Sequence, residues 1–258
     1  MATVRLIGEH ISYSASPQMH AAAFDALGLD HHYELADIAE PDLPACIAAL
    51  RDAGVLGANV TVPHKAAVMP LLDEIELGAS AAGAVNTIVN RDGRLLGSNT
   101  DVPAIAAEIR RLTSAPRKAV ILGAGGAARA VATALATIGT IDVVTVSRAQ
   151  WPELPLLLAP ADLLINATPV GTNSDESPID AGLLHPDLAV LDLVYRPSPT
   201  RLVHDARACL LDARAGAGVL LGQGWRSLAK WLSLEIGDEV KRAMADALAT
   251  ELGDGVDV

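Results

Sequence analysis

The chain has 258 residues, 51% of them hydrophobic, enough to bury one large core or two modest ones without disulfide or metal staples. A net charge of −12, with no lysine or arginine runs and no aromatic stacking platform, excludes nucleic acid as an expected partner, so an anionic small molecule would need a local positive site. The two cysteines, Cys46 and Cys209, fit buried, inert thiols in a reducing compartment, and without a long apolar window neither secretion nor a membrane span is expected, which points to the cytoplasm.

Strands and helices alternate through the first hundred residues. Val4 to Gly8 reads as a strand, Pro17 to Leu27 as a helix, His32 to Ile38 as a strand and Asp42 to Ala53 as a helix. Such alternation predicts βαβ units and a mostly parallel sheet. The next strand runs into Gly57-Ala58-Asn59-Val60-Thr61-Val62-Pro63-His64-Lys65. Side chains alternate along a strand, so Asn59 and Thr61 share one face while Val60 and Val62 take the buried one, and Pro63 ends the ladder. Lys65 then opens an apolar helical run, Ala66 to Ile75, at a strand's carboxyl end, where open α/β sheets put their ligands. Two polar side chains and a lysine there would hold a small polyol beside a proton donor; the plain alternative is a strand exit with a solvated lysine.

Val85 to Val89 and Leu95 to Asn99 flank Asn90-Arg91-Asp92-Gly93, a hairpin with an Asp-Gly turn. A helix follows Asp101 to about Leu112, and Ser114-Ala115-Pro116-Arg117 breaks it at the expected domain boundary. Lys118 to Leu122 is a strand that enters Gly123-Ala124-Gly125-Gly126-Ala127-Ala128 and then an alanine-rich helix, Arg129 to Ile138. In this GxGxxA turn the first glycine permits the tight bend, the second lets the backbone approach a pyrophosphate, and the small third position lets helix and strand pack closely. Amides at the helix start meet the phosphate charge; the alternative is a tight turn with no ligand. The strand Val143 to Val146 ends in Ser147-Arg148, where an arginine favours the 2′-phosphate of NADP over the NAD ribose unless it is simply solvated. A second alternation continues to about Leu221, and the remainder is helical, divided at Gly237-Asp238. The seven histidines show no zinc-ligand spacing, so no metal is expected; His64, beside Lys65, is expected to pack or face solvent.

Read together, these segments resemble the shikimate dehydrogenase family. Ser14-Ala15-Ser16-Pro17 resembles its SxSP segment, and Asn59, Thr61 and Lys65 lie in a stretch similar to its NVTxPxK. Ala84-Val85-Asn86-Thr87 and Gly97-Ser98-Asn99-Thr100-Asp101 resemble AVNT and GxNTD; Asn166-Ala167-Thr168-Pro169-Val170-Gly171 is similar to the NATxxG cofactor loop. Asp192 to Pro197 resembles DxxYxP, and Gly216 to Gln223 aligns with the segment beside the nicotinamide. The resemblance implies a substrate site of Ser14, Ser16, Asn59, Thr61, Asn86, Tyr195 and Gln223, a catalytic pair Lys65 and Asp101, and cofactor contacts from Gly123, Gly125, Gly126, Ala127, Arg148, Thr168 and Gly216. Local alternatives stand beside three of these: Ser16 and Asp101 could each serve as an N-cap, and Tyr195 could pack on a sheet rim.

The implied activity is reversible, NADP-dependent reduction of 3-dehydroshikimate to shikimate, with NAD as the other cofactor, and with quinate, an amino analogue or a poorly catalytic ligand-binding relative as alternatives. The chain departs from the family pattern in three places. Only about a dozen residues separate Arg148 from Ala161, where a further helix and strand are usual; Val219 replaces a methionine beside the nicotinamide; Val102 replaces the glycine after NTD. Trp151, in the shortened stretch, could cover an adenine or simply pack. The expected fold class is α/β with two domains: residues 1–101 plus 223–258 form a mostly parallel substrate domain, 117–222 form a Rossmann-like dinucleotide-binding domain, and 102–116 link them. A cleft between them would close on a small-molecule substrate and expel water. The expected assembly is a monomer or homodimer.

Overall fold

Strand β1 (Ala2–Gly8) is apolar where it matters, with Val4, Leu6 and Ile7 at most 5% exposed, and parallel neighbours β2 (His31–Asp37) and β3 (Val55–Val60) flank it. The computed structural model describes residues 1–253, so 254–258 of the predicted substrate domain lie outside the described residues. The chain divides into two units, Met1–Asp101 with Leu221–Glu251, and Val102–Leu220.

In the first unit α1 (Ser16–Ala26) follows β1, and the single helix expected from Asp42 to Ala53 is instead α2 (Leu43–Ala48) with a 3₁₀ turn at each end. Pro44 sits in its first turn, where a missing amide costs nothing. β4 (Glu74–Ile75), α3 (Leu77–Ala82), β5 (Thr87–Arg91) and β6 (Arg94–Ser98) complete a sheet ordered β2-β1-β3-β5-β6-β4. Three of its five ladders are parallel; those of β5 with β3 and β6 are antiparallel. The β5–β6 hairpin turns at Asp92 and Gly93, with φ of 52° and 86°, the pair of positive angles a type I′ turn requires. Ile7, Leu50, Ala58, Ile88 and Leu95, all fully buried, form the core of one face.

The helix expected from Ala66 to Ile75 does not form. Its carbonyls go elsewhere: that of Lys65 accepts Val85 N at 2.8 Å, and Pro70 has no amide to return to Ala66. The segment becomes turns, a 3₁₀ turn at Met69–Leu71 and β4. Val62 is likewise 64% exposed rather than buried, because β3 ends at Val60.

The second unit holds α4 (Asp101–Leu112) from Val102 onward, then β7 (Lys118–Leu122), α5 (Gly126–Ile138), β8 (Asp142–Val146), α6 (Leu154–Leu158) and β9 (Leu163–Asn166). β10 (Ala189–Asp192), α7 (Arg201–Ala208) and β11 (Ala213–Arg214) follow. All five strands are parallel in the order β11-β10-β9-β7-β8, so the chain reverses direction across the sheet between β7 and β9. The shortened stretch after β8 is a 3₁₀ segment, Arg148–Glu153, and Trp151 packs against the core built on Val120, Leu122, Leu158 and Leu164. Two helices end the described chain, α8 (Ala217–Leu232) and α9 (Asp238–Leu252).

An ion pair that the sequence pattern did not reveal ties α4 to the edge of this sheet. Glu108, 3% exposed, accepts Arg214 Nε at 2.7 Å, and Arg111 one turn along α4 reaches its other oxygen at 3.1 Å. Gly218 accommodates it, since a Cβ there would lie 2.6 Å from the Glu108 carboxyl. Removing one member of a buried pair leaves the other charge desolvated, so Glu108→Ala is expected to lower the unfolding free energy by about 3–5 kcal/mol, read from urea melts. A loss below about 1 kcal/mol, the range of exposed pairs, would contradict this account.

Candidate active site

The antiparallel β3–β5–β6 ladders bring the ends of three sequence motifs together. Lys65 Nζ donates to Asp101 Oδ2 at 2.7 Å, across thirty-six positions of chain, with side chains only 19% and 13% exposed. The second oxygen, Asp101 Oδ1, accepts Asn86 Nδ2, also at 2.7 Å. Asn86 in turn is fixed by Thr100, whose backbone N–H donates to Asn86 Oδ1 at 2.7 Å, and by the Thr87 hydroxyl at 3.0 Å. Asp101 is thus the first residue of α4 with both carboxylate oxygens committed to side chains, a more specific arrangement than an N-cap.

Asn59 is 4% exposed and its amide is spent inside the protein. Its Oδ1 accepts the Tyr33 hydroxyl at 2.8 Å, and its Nδ2 lies 3.0–3.2 Å from the Asn86 carbonyl, Thr87 Oγ1 and Ser227 Oγ. Tyr33 is held by stacking on His20, ring centroids 4.4 Å apart and nearly parallel. Burial without a hydrogen-bond partner at either ring nitrogen pushes His20 down to about 3, so it is neutral near pH 7.

Thr61 is half-buried beyond β3, its methyl occupying the space a Cβ on Gly8 would need. In the serine segment Ser14 Oγ accepts Ser16 N at 3.2 Å, while α1 has Ala15 as its N-cap and no side-chain cap bond, so the expected capping by Ser16 is absent. Asp37, at the end of β2, accepts the amides of His10 and Ile11 and so tethers that loop. His64 is buried and its Nε2 lies 2.9 Å from the Ile38 carbonyl. Gln223 is 8% exposed on α8, and Tyr195 is half-buried beyond β10.

In the second unit the glycine turn falls between β7 and α5, at the point where strand order reverses, the usual ligand position in an open α/β sheet. Gly123 adopts φ +110°, and a Cβ there would sit 2.9 Å from the Ala167 carbonyl, so this glycine lets the turn and the Asn166–Gly171 loop approach. Gly125 is exposed with open space around it, and α5 starts at Gly126, with Ala127 half-buried in its first turn. Arg148 is exposed at the start of the 3₁₀ segment. Thr168 bonds by both N and Oγ1 to Asn166 Oδ1, which shapes its loop from within. Gly216 has a packing reason of its own, since a Cβ would come within 2.2 Å of the Leu193 carbonyl.

Residues 6–88 match the family model described as the shikimate dehydrogenase substrate binding domain. A shikimate dehydrogenase (NADP(+)) of Methanopyrus kandleri is 40% identical over 93% of this chain and 93% of its own length. The chain belongs to the shikimate dehydrogenase family. The crystal structure of the Thermus thermophilus shikimate 5-dehydrogenase, in complex with NADP(H) and shikimate, is 36% identical and covers 98% of this chain and 100% of its own, with a TM-score of 0.87. A Corynebacterium glutamicum quinate dehydrogenase in complex with NAD is also similar, at 30% identity, 96% and 99% coverage and a TM-score of 0.84. Among the described residues of this family member no helix is long and apolar enough to cross a membrane, and no group of three or more His, Cys, Asp or Glu could hold a metal ion.

Sequence reading missed the supports of the site. Thr87 and Thr100 belong to the AVNT-like and GxNTD-like segments, which mark no role for them, Tyr33 is 26 positions from its partner, and Ser227 is 168 from Asn59. Asp192 was quoted only as part of a motif, yet it joins the two loops of the second unit. Its Oδ1 accepts Asn166 Nδ2 and Val194 N, its Oδ2 accepts the Thr200 hydroxyl, and burial pushes it up to about 6. The folded chain therefore holds this proton more tightly than the unfolded one, and the contribution of Asp192 to stability falls as pH rises from about 4 to about 6. Asp192→Asn removes that slope. Urea melts at several pH values should show the variant gaining on the parent across this window by up to about 3 kcal/mol; a difference independent of pH would refute the assignment.

Proposed function

We propose that this chain catalyses the reversible, NADP-dependent reduction of 3-dehydroshikimate to shikimate. The observation that carries the reading is the 2.7 Å Lys65–Asp101 pair in a chain whose relatives are shikimate dehydrogenases. Ser14 and Ser16 hold the substrate carboxylate; Thr61, Tyr195 and Gln223 read the ring hydroxyls, and Asn86, its amide taken up by Asp101, Thr100 and Thr87, serves the substrate site by orienting Asp101. Asn59, with its amide already spent, serves the site from behind, as scaffold.

The bound nicotinamide supplies or receives the hydride. During reduction the substrate oxygen gains negative charge, and the Lys65 ammonium both stabilises that charge and donates the proton; the amine then recovers a proton from solvent. Asp101 aims the Lys65 side chain, while Asn86 keeps the carboxylate turned toward the lysine. In oxidation the Lys65–Asp101 pair receives the hydroxyl proton, and the proton belongs to the pair rather than to one member.

The second unit fits a dinucleotide. The backbone around Gly125 is open, Gly126 and Ala127 begin α5 with free amides toward a phosphate, and Gly123 sets the bend. Arg148 would meet the 2′-phosphate, while Thr168 and Gly216 shape the loops on the nicotinamide side. We also read the protein as cytoplasmic, on its two free thiols, of which Cys46 is half-buried and Cys209 exposed rather than both buried as expected, and as a monomer or homodimer.

Lys65→Ala is expected to lower kcat by about 10²–10⁴-fold, the range of general acid–base catalysis, while shikimate binding measured by calorimetry persists. Near-normal turnover would remove Lys65 from the mechanism. A rate matrix of NADP and NAD against shikimate and quinate should give its highest kcat/KM for NADP with shikimate; a preference for NAD would remove the argument from Arg148, and a preference for quinate would change the substrate.

A further inference from the structure

The structure assigns Ser227 as a positioning residue for the Lys65–Asp101 pair, acting through Asn86, an assignment that rests on the catalytic reading above. Three hydroxyls, those of Thr87, Thr100 and Ser227, form a closed triangle with edges of 3.1, 2.8 and 3.0 Å, each residue at most 1% exposed. Asn59 Nδ2 reaches the Ser227 corner at 3.0 Å, and Ser227 Oγ itself donates to the Gln223 carbonyl one turn earlier on α8, also at 3.0 Å.

Proton counting gives Ser227 its role. Each hydroxyl has one proton to donate and two lone pairs to accept with. Asn86 Nδ2 spends one proton on Asp101 and the other on Thr100 Oγ1, at 2.7 and 3.0 Å. Asn86 Oδ1 has two lone pairs for three donors in reach, Thr100 N and the hydroxyls of Thr87 and Thr100. One threonine proton is therefore surplus at Asn86, and Ser227 Oγ, 2.8 Å from Thr87 and 3.0 Å from Thr100, is the sink that takes it, because Ser227 discharges its own proton outward to the Gln223 carbonyl. By either threonine the surplus proton leaves toward Ser227 and α8, which leaves the Asn86 oxygen to its two donors and keeps the Asn86 amino group turned toward the carboxylate.

Without the Ser227 hydroxyl, both threonine protons fall on Asn86 Oδ1, at 3.0 and 3.2 Å, where Thr100 N leaves room for one, or one threonine must donate to the other. Either choice disturbs the amide that orients Asp101, at a site where a partly satisfied network is costly. Ser227 touches neither Lys65 nor Asp101, so its effect must pass through Asn86.

A double-mutant cycle on kcat tests this, because a purely structural loss multiplies the rate equally in both backgrounds whereas a loss transmitted through Asn86 does not. Ser227→Ala alone is expected to lower kcat about tenfold, and in the Asn86→Ala background to change it less than about twofold. The same factor in both backgrounds, or no loss in the single variant, would overturn the proposal. Should Ser227→Ala fail to fold, Ser227→Cys, which fills the space with a weak donor, takes its place in the cycle and is held to the same criterion. The catalytic reading fails separately, if Asn86→Ala or Lys65→Ala turns over normally.

Discussion

A half-buried ion pair is stable only when the hydrogen-bonding capacity its charges do not spend on each other is met by other groups, because neither charge can rely on water. The Lys65–Asp101 pair imposes that condition on the whole first unit. The free oxygen of Asp101 requires a donor and takes Asn86; the amide oxygen of Asn86 requires donors and takes Thr100 N and Thr87; the hydroxyls recruited this way must themselves be satisfied. The steps draw in residues beside β5, α4 and α8, until the chain of requirements ends on the backbone carbonyls of Asn86, just before β5, and Gln223 on α8. The network is large because the pair is desolvated. In the mechanism we propose, the same partial desolvation strengthens the attraction between the ammonium and an oxygen that is gaining charge.

Local regularity yields to this requirement. The run from Ala66 to Ile75 is apolar enough for a helix, but the Lys65 carbonyl is taken by Val85 N, which fastens the lysine's backbone to the strand leading into Asn86. A continuous helix would have used that carbonyl internally and left the lysine on a separate element. Losing a few helical hydrogen bonds, each worth about 1 kcal/mol net, is a small cost for fixing Lys65 against the motif that holds its partner.

What could be read from the sequence is what local periodicity and short-range stereochemistry dictate. The strand–glycine turn–helix of 118–138, the Asp92-Gly93 hairpin and the strand ends carrying Lys65 and Asp101 were legible because each is decided within a few residues. The helix at 66–75 was misread because a tertiary bond, invisible in the window, overrode propensity. Asn59 was placed correctly on its strand, but its amide proved committed to Tyr33, Thr87 and Ser227, partners 26 to 168 positions away. Glu108 and Arg214 pair over 106 positions, and no spacing rule reaches that far. One signal was available for Ser227: a serine four residues after Gln223 on a largely apolar helix needs a partner if it is buried.

The second unit solves a different problem, keeping two loops in register with no side chain between them. Gly123 and Gly216 permit backbone approaches that a methyl group would block, at the Ala167 and Leu193 carbonyls. Sterics alone would leave the loops free to slide, and Asp192 supplies the direction, accepting from Asn166 on one side and from Val194 and Thr200 on the other. A neutral residue would cost less to bury, yet only a carboxylate accepts three donors with no proton of its own to place. Burial raises the cost of its charge, and the three donors are the reason that cost is tolerated at neutral pH. Both units therefore hold their loops with a buried carboxylate: a lysine stabilises one, and neutral donors alone stabilise the other. Of the two, only the lysine-paired carboxylate has a charged donor beside it.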